Sequence, residues 1–181
     1  MRSRAEVRRR RPAAALALGA LTLLCTSCGL FRTTGLDLTT DNRLTFVSPP
    51  ARALVHTPLT VRWHMSDFAP GGRGGAGPGG YFALFVDQAP IRPGQSMKAV
   101  AAGDAYCLHT PGCPDRTYLA QHQIYTTTST SVTLPSVANL PADNDAVQLH
   151  TFVVVLMDPS GHRIGESAWE LDLRLPMVGE P

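Results

Sequence analysis

Val147-Gln-Leu-His-Thr-Phe-Val-Val-Val-Leu-Met157, then Asp158-Pro-Ser-Gly161, then Trp169-Glu-Leu-Asp-Leu-Arg-Leu175 is the stretch whose reading decides the fold. Its first part is almost continuously apolar and β-branched, which suits a central strand buried on both faces. Asp158-Pro-Ser-Gly161 supplies turn chemistry, because Pro presets the φ of a first turn position and Gly accepts a positive one. In the return segment Trp169, Leu171, Leu173 and Leu175 alternate with Glu170, Asp172 and Arg174, so one face is wet. The two halves predict an antiparallel hairpin, the last pair of strands of a β-sandwich.

Working backwards from the hairpin, further strand signals recur. Leu44-Thr-Phe46 begins them, and Ser48-Pro-Pro50 forces a bend. Leu59, Val61, Trp63 and Met65 alternate with Thr60, Arg62 and His64, the pattern of a half-buried strand. Tyr81-Phe-Ala-Leu-Phe-Val86 predicts a second doubly buried strand, ended by Asp87-Gln-Ala-Pro90. Ile91 to Val100 is expected as a poorer edge strand interrupted at Pro93-Gly94. Pro114-Asp-Arg-Thr-Tyr-Leu-Ala-Gln121 predicts a helical turn or two, and the Thr-rich run Ile124 to Leu134 a single strand near a sheet edge.

The chain has 181 residues, 44% of them hydrophobic, enough for one domain with a real core plus a targeting segment. Formal net charge is +2, but residues 1–27 carry six arginines against the single acid Glu6. The remainder holds 10 basic and 13 acidic side chains and is slightly acidic, which excludes an electrostatic footprint for nucleic acid.

Arg8-Arg-Arg-Arg11 followed by the apolar run Pro12 to Leu24 has the form of an export signal, and the run is too short to span the roughly 30 Å of hydrocarbon comfortably. Leu24-Cys-Thr-Ser-Cys28-Gly29 then resembles the lipobox of bacterial lipoproteins, with Thr26 and Ser27 as the small residues before the cysteine. Cys25 departs from that pattern, which usually has Leu three residues before the lipidated position. The resemblance implies that residues 1–27 are a cleaved signal and that Cys28 carries acyl chains such as palmitate. The mature protein would be exported and anchored to membrane lipid on the extracytoplasmic face. Residues 28–42 predict a flexible tether of roughly 20 Å.

Phe46-Val-Ser-Pro-Pro-Ala and Pro58-Leu-Thr-Val-Arg-Trp63 resemble the opening strands of bacterial immunoglobulin-like and fibronectin-like modules. The resemblance implies an all-β, immunoglobulin-like antiparallel sandwich of about seven strands over residues 43–176, with 177–181 as a tail. The antibody-type inter-sheet disulfide with a Trp on the third strand is absent from the sequence.

Two segments stand out from this scaffold. Residues 70–80 form a Gly-rich loop with few side chains to bury, either a recognition loop or a tolerated insertion. Residues 101–122 form an insertion bracketed by Cys107 and Cys113. Pro111-Gly112 can turn the chain between these cysteines, and an exported domain is oxidising territory, so they predict a disulfide. Five intervening residues do not match a redox Cys-x-x-Cys. Both segments are expected to be dispensable to the core and therefore to supply contact surface, with Arg73, Gly75, Asp104 and His109 as candidate binding residues.

His56, His64, His109, His122, His150 and His162 show no ligand spacing, so no metal site is assigned. Asp143-Asn-Asp145 lacks the Gly and Glu that complete a calcium loop. No Gly-x-Ser-x-Gly elbow, His-Glu-x-x-His or phosphate loop is present, so neither catalysis nor a cofactor is expected. The function expected is a non-catalytic binding or scaffolding module that recognises an envelope protein or a wall glycan. The alternative is a copper- or zinc-binding envelope protein using some of His56, His64, His109 and His122.

Overall fold

The structure is a computed structural model that describes residues 41–72, 79–141 and 145–177. It is an all-β sandwich of seven strands: β1 (Leu44–Ser48), β2 (Leu59–Met65), β3 (Tyr81–Val86), β4 (Ile124–Thr127), β5 (Ser131–Leu134), β6 (Val147–Met157) and β7 (Arg163–Pro176). A three-stranded sheet β1-β2-β5 faces a four-stranded sheet β4-β3-β6-β7, and every strand pair is antiparallel. Relative to the immunoglobulin constant arrangement, which places four strands with the first and three opposite, the fourth strand has changed sheets.

The hairpin forms as its pattern predicts. β6 pairs with β7 from Val147↔Pro176 through Met157↔Arg163, and Gly161 takes φ 86° in the turn. The Asp158 carboxylate holds that turn by accepting the N–H groups of Ser160 and His162, each at 2.9 Å. A bulge intervenes: Val154 pairs with Trp169 but Leu156 with Ile164, so residues 165–168 loop out opposite one residue of β6. This displacement is why the clean alternation begins only at Trp169.

β3 and β6 are buried on both sides, and alternation deals their side chains into two cores. Phe82, Leu84 and Val86 with Phe152, Val154 and Leu156 face the other sheet, where Leu59, Val61, Trp63 and Leu134 meet them. Ala83 and Phe85 with Val153, Val155 and Met157 face outward into a second core closed by Ile91, Met97, Leu119 and Ile124. The chain between β3 and β4 is therefore a cap over the outer face of the four-stranded sheet. It holds a 3-10 turn (Met97–Ala101) and two short helices, α1 (Ala105–His109) and α2 (Arg116–Gln121).

Three expectations change here. Ile91 to Val100 is not an edge strand: only Ser96 makes an isolated bridge, to His162, while Ile91 and Met97 point into the second core. The Thr-rich run is two strands, since β4 pairs with β3 and β5 with β2. Thr127 permits that crossing between sheets, because its hydroxyl accepts the Ser129 N–H at 3.0 Å and donates to the Ser131 carbonyl at 3.3 Å. The count of seven thus matches with different members. Finally, the cap is part of the core and not a dispensable excursion.

The edges are covered or tied. After the Ser48-Pro-Pro50 bend, residues 52–55 run parallel to β7; Val55 donates to the Arg174 carbonyl and the Arg174 N–H donates to the Ala53 carbonyl, both at 2.9 Å. Asp41 ion-pairs with Arg43 at 2.7 Å, accepts the Ser167 hydroxyl, and gives its backbone carbonyl to the Trp169 indole N–H at 2.7 Å. The start of the domain is thereby fastened to β7. The Arg43 guanidinium holds the Asp41 carboxyl well below the usual carboxylate range.

Candidate functional site

Arg73, Gly75 and Cys28 lie outside the described residues, as do Asp143 and Asn144. Of the predicted site residues, the disulfide is present: Cys107 and Cys113 are bonded with their Cα atoms 5.1 Å apart. It closes α1 and the Pro111-Gly112 turn into one small loop on the surface of the cap.

Asp104 is the residue around which the cap is built. As N-cap of α1 its Oδ1 accepts the Tyr106 N–H at 2.8 Å, and its Oδ2 accepts the Tyr118 hydroxyl at 2.8 Å. Those bonds, the Tyr118 hydroxyl first, hold the Asp104 carboxyl below its ordinary value. Loss of water contact and the neighbouring carboxylate push the Tyr118 phenol up. Asp115 caps α2 in the same way, accepting the Tyr118 N–H at 2.8 Å.

Tyr118 and His122 are four residues apart on and just beyond α2, so their rings fall on one face and stack with centroids 4.1 Å apart. Tyr106 lies parallel to Tyr118 at 6.4 Å between centroids, with planes 2° apart. Together with Asp104, Asp115, Thr117 and Gln121 these rings line an open cleft of about 440 Å³. Tyr106 is 61% exposed and Leu108 71% exposed, the two most exposed large apolar side chains of the cap. His109 is exposed at the end of α1 and is not part of the cleft lining.

Of the residues lining this cleft, Asp104 is a sequence-predicted site residue, whereas Tyr106, Tyr118 and the stacking role of His122 are not. A signal was present, since Asp104 and Asp115 each sit where an N-cap belongs, which orients both helices and puts Tyr118 and His122 on a shared face.

Among the described residues no three of His, Cys, Asp and Glu converge as a metal-binding group. The four histidines named for metal binding are dispersed: His64 is on the wet face of β2, His109 and His122 are on the cap, and His56 is in the connection between β1 and β2. His150, by contrast, is buried, with Nδ1 2.7 Å from Asp87 Oδ2.

No protein-family model matches the chain, and no curated protein or solved structure is significantly similar to it. Fold and site define the class on their own terms: a three-on-four antiparallel β-sandwich whose apolar outer sheet face is sealed by a disulfide-bonded cap bearing an aromatic cleft.

Proposed function

We propose that this chain is a membrane-tethered envelope lipoprotein, held by acyl chains on Cys28, whose sandwich is a non-catalytic module that binds wall glycan through the cap. The observation that carries the reading is the Asp104–Tyr106–Tyr118–His122 cleft. The exposed rings of Tyr106 and His122, each stacked on the buried Tyr118, lie beside a carboxylate, an amide and a hydroxyl and suit a sugar ring, which offers an apolar C–H face for stacking and a rim of hydroxyls for hydrogen bonds. The disulfide and the two N-caps favour binding because they fix these groups before a ligand arrives, lowering the ordering cost of association. Between the two partners left open by the sequence, a protein partner would be expected to use Leu108 and His109, which are exposed at the end of α1 outside the cleft lining.

Cosedimentation of the full-length chain with insoluble peptidoglycan, and titration with soluble wall fragments, test this reading. Tyr106→Ala and Asp104→Asn are expected to weaken retention at least tenfold, and Leu108→Ala to leave it unchanged. No retention, or retention that ignores both Tyr106→Ala and Asp104→Asn, refutes glycan binding at the cleft. Capture of one protein from a photoreactive group at His109 would move the function to that partner. Incorporation of labelled palmitate, abolished in Cys28→Ala, tests the anchor separately.

A further inference from the structure

At the end of the sandwich, a cavity of about 200 Å³ opens where the β1–β2 connection, the loop after β5, β6 and the end of β7 meet. His56, His150 and Met177 all line it, which brings two imidazoles and a thioether to one small space. This feature stands apart from the cap cleft and does not rest on the glycan reading.

His150 is 2% exposed, and its Nδ1 lies 2.7 Å from Asp87 Oδ2. Asp87 is itself fixed, because its Oδ1 accepts the Thr151 N–H at 2.9 Å and its own N–H donates to the Thr151 carbonyl at 2.9 Å. A carboxylate facing Nδ1 places the imidazole proton there, so in the neutral ring Nε2 keeps a lone pair. Asp87 is not among the residues lining the cavity and His150 is, and Nε2 is the ring nitrogen that Asp87 does not engage. This is the arrangement by which a carboxylate orients a metal-ligating histidine from behind. Asp87 adopts φ 56°, a left-handed conformation that is costly for a non-glycine residue and that its bonds to β6 hold in place.

The walls are also held. Gln148, two residues before His150 and fully buried, accepts the Leu140 N–H at 2.9 Å and donates to the Leu140 carbonyl at 3.3 Å. The Met177 N–H donates to the Ala146 carbonyl at 2.9 Å, which ties the backbone of that lining residue. His56 is exposed at the mouth and Met177 half-buried, so an ion entering from solvent meets a donor before reaching the buried His150.

Two imidazoles with one thioether form a soft set, and among the described residues no carboxylate lines the cavity. Such a set favours copper(I) over zinc(II), and over magnesium or calcium, which take oxygen ligands. We propose that this cavity binds one copper(I) ion through His150 Nε2, His56 and the Met177 sulfur, with Asp87 as the residue that orients His150. Binding uses lone pairs only; no electron or proton is transferred when the histidines are neutral.

The test is anaerobic copper(I) titration of the full-length chain, with Cys25 and Cys28 replaced by serine so that no free thiol competes, against a chromophoric chelator. One copper(I) per chain is expected. Met177→Leu and His56→Gln, both near the mouth and compatible with folding, should each weaken binding at least tenfold, and Asp87→Asn about 10- to 100-fold. X-ray absorption should show a sulfur scatterer that disappears in Met177→Leu. No stoichiometric uptake overturns the proposal, as does uptake indifferent to both mouth substitutions, or displacement of copper(I) by equimolar zinc(II).

Discussion

Leu119→Ala tests whether the cap is structural. Leu119 is 6% exposed on α2 and packs in the second core against the outer face of the four-stranded sheet. Truncating a buried leucine removes its transfer free energy and leaves a cavity that the surroundings fill incompletely, about 3 kcal/mol in all. With a urea slope of about 2 kcal/mol/M for a domain of this size, the midpoint should fall by about 1.5 M. The assay is informative because of where the tryptophans sit. Trp63 and Trp169 both belong to the core between the sheets, on the far side of β3 and β6 from Leu119. Tryptophan fluorescence therefore reports a core that the substitution never touches. If cap and sandwich unfold as one unit, the tryptophan transition moves by the full amount, whereas Leu108→Ala, at 71% exposure, moves it by less than about 0.5 kcal/mol. A tryptophan midpoint unchanged by Leu119→Ala, with only the tyrosine signal of the cap shifting, would refute the second core as a cooperative part of the fold.

Other consequences follow from named contacts. The folded Asp41 carboxyl is depressed from 3.8, so its contribution is present above that value and is lost as pH falls through the folded pKa; Asp41→Asn should flatten the decline of the urea midpoint on acidification, an effect of about 1 kcal/mol for a partly exposed pair. Replacing both Cys107 and Cys113 with serine should cost about 2 kcal/mol, as expected for so short a closed loop, and should hasten proteolysis between residues 105 and 113; a loss above about 4 kcal/mol would show that the bridge supports more than its own loop. Gly80→Ala places a Cβ 2.2 Å from the Met157 carbonyl oxygen, a backbone atom that cannot step aside, so thermal unfolding should show a loss of at least about 2 kcal/mol.

The hairpin of β6 and β7 was legible because local pattern and tertiary role agree: a continuous apolar run belongs to a strand buried twice, and alternation to one buried once. The same logic found β3 but hid its consequence. A doubly buried strand at residues 81–86 requires something to cover the outer face, and the covering side chains are too sparse to register as a periodic element. Ile91, Met97 and Leu119 are spread over nearly thirty residues of turns and short helices. The Thr-rich run gave no Gly or Pro to mark its break, because hydroxyl groups satisfy the backbone at the sheet crossing in place of turn residues. Asp87 and His150 are 63 residues apart, and nothing in either neighbourhood announces the other.

That pair also explains why both ends of the cap meet the same pole of the sandwich. The chain leaves β3 at Asp87, whose left-handed backbone turns it toward the cap while its carboxylate orients His150. It returns at His122 and Gln123, where the Gln123 carbonyl accepts the Val86 N–H at 3.0 Å and the Gln88 amide donates to the His122 carbonyl. The Gln123 side chain in turn accepts the Ala138 N–H at 3.3 Å, reaching the loop that walls the cavity. His122 stacks on Tyr118 in the aromatic cleft, and its backbone is tied to the residue after Asp87. The cleft and the cavity are therefore separate in lining but built on one short frame at residues 86–88 and 122–123. Substitutions in that frame should disturb both, whereas Tyr106→Ala and Met177→Leu should each affect only its own site.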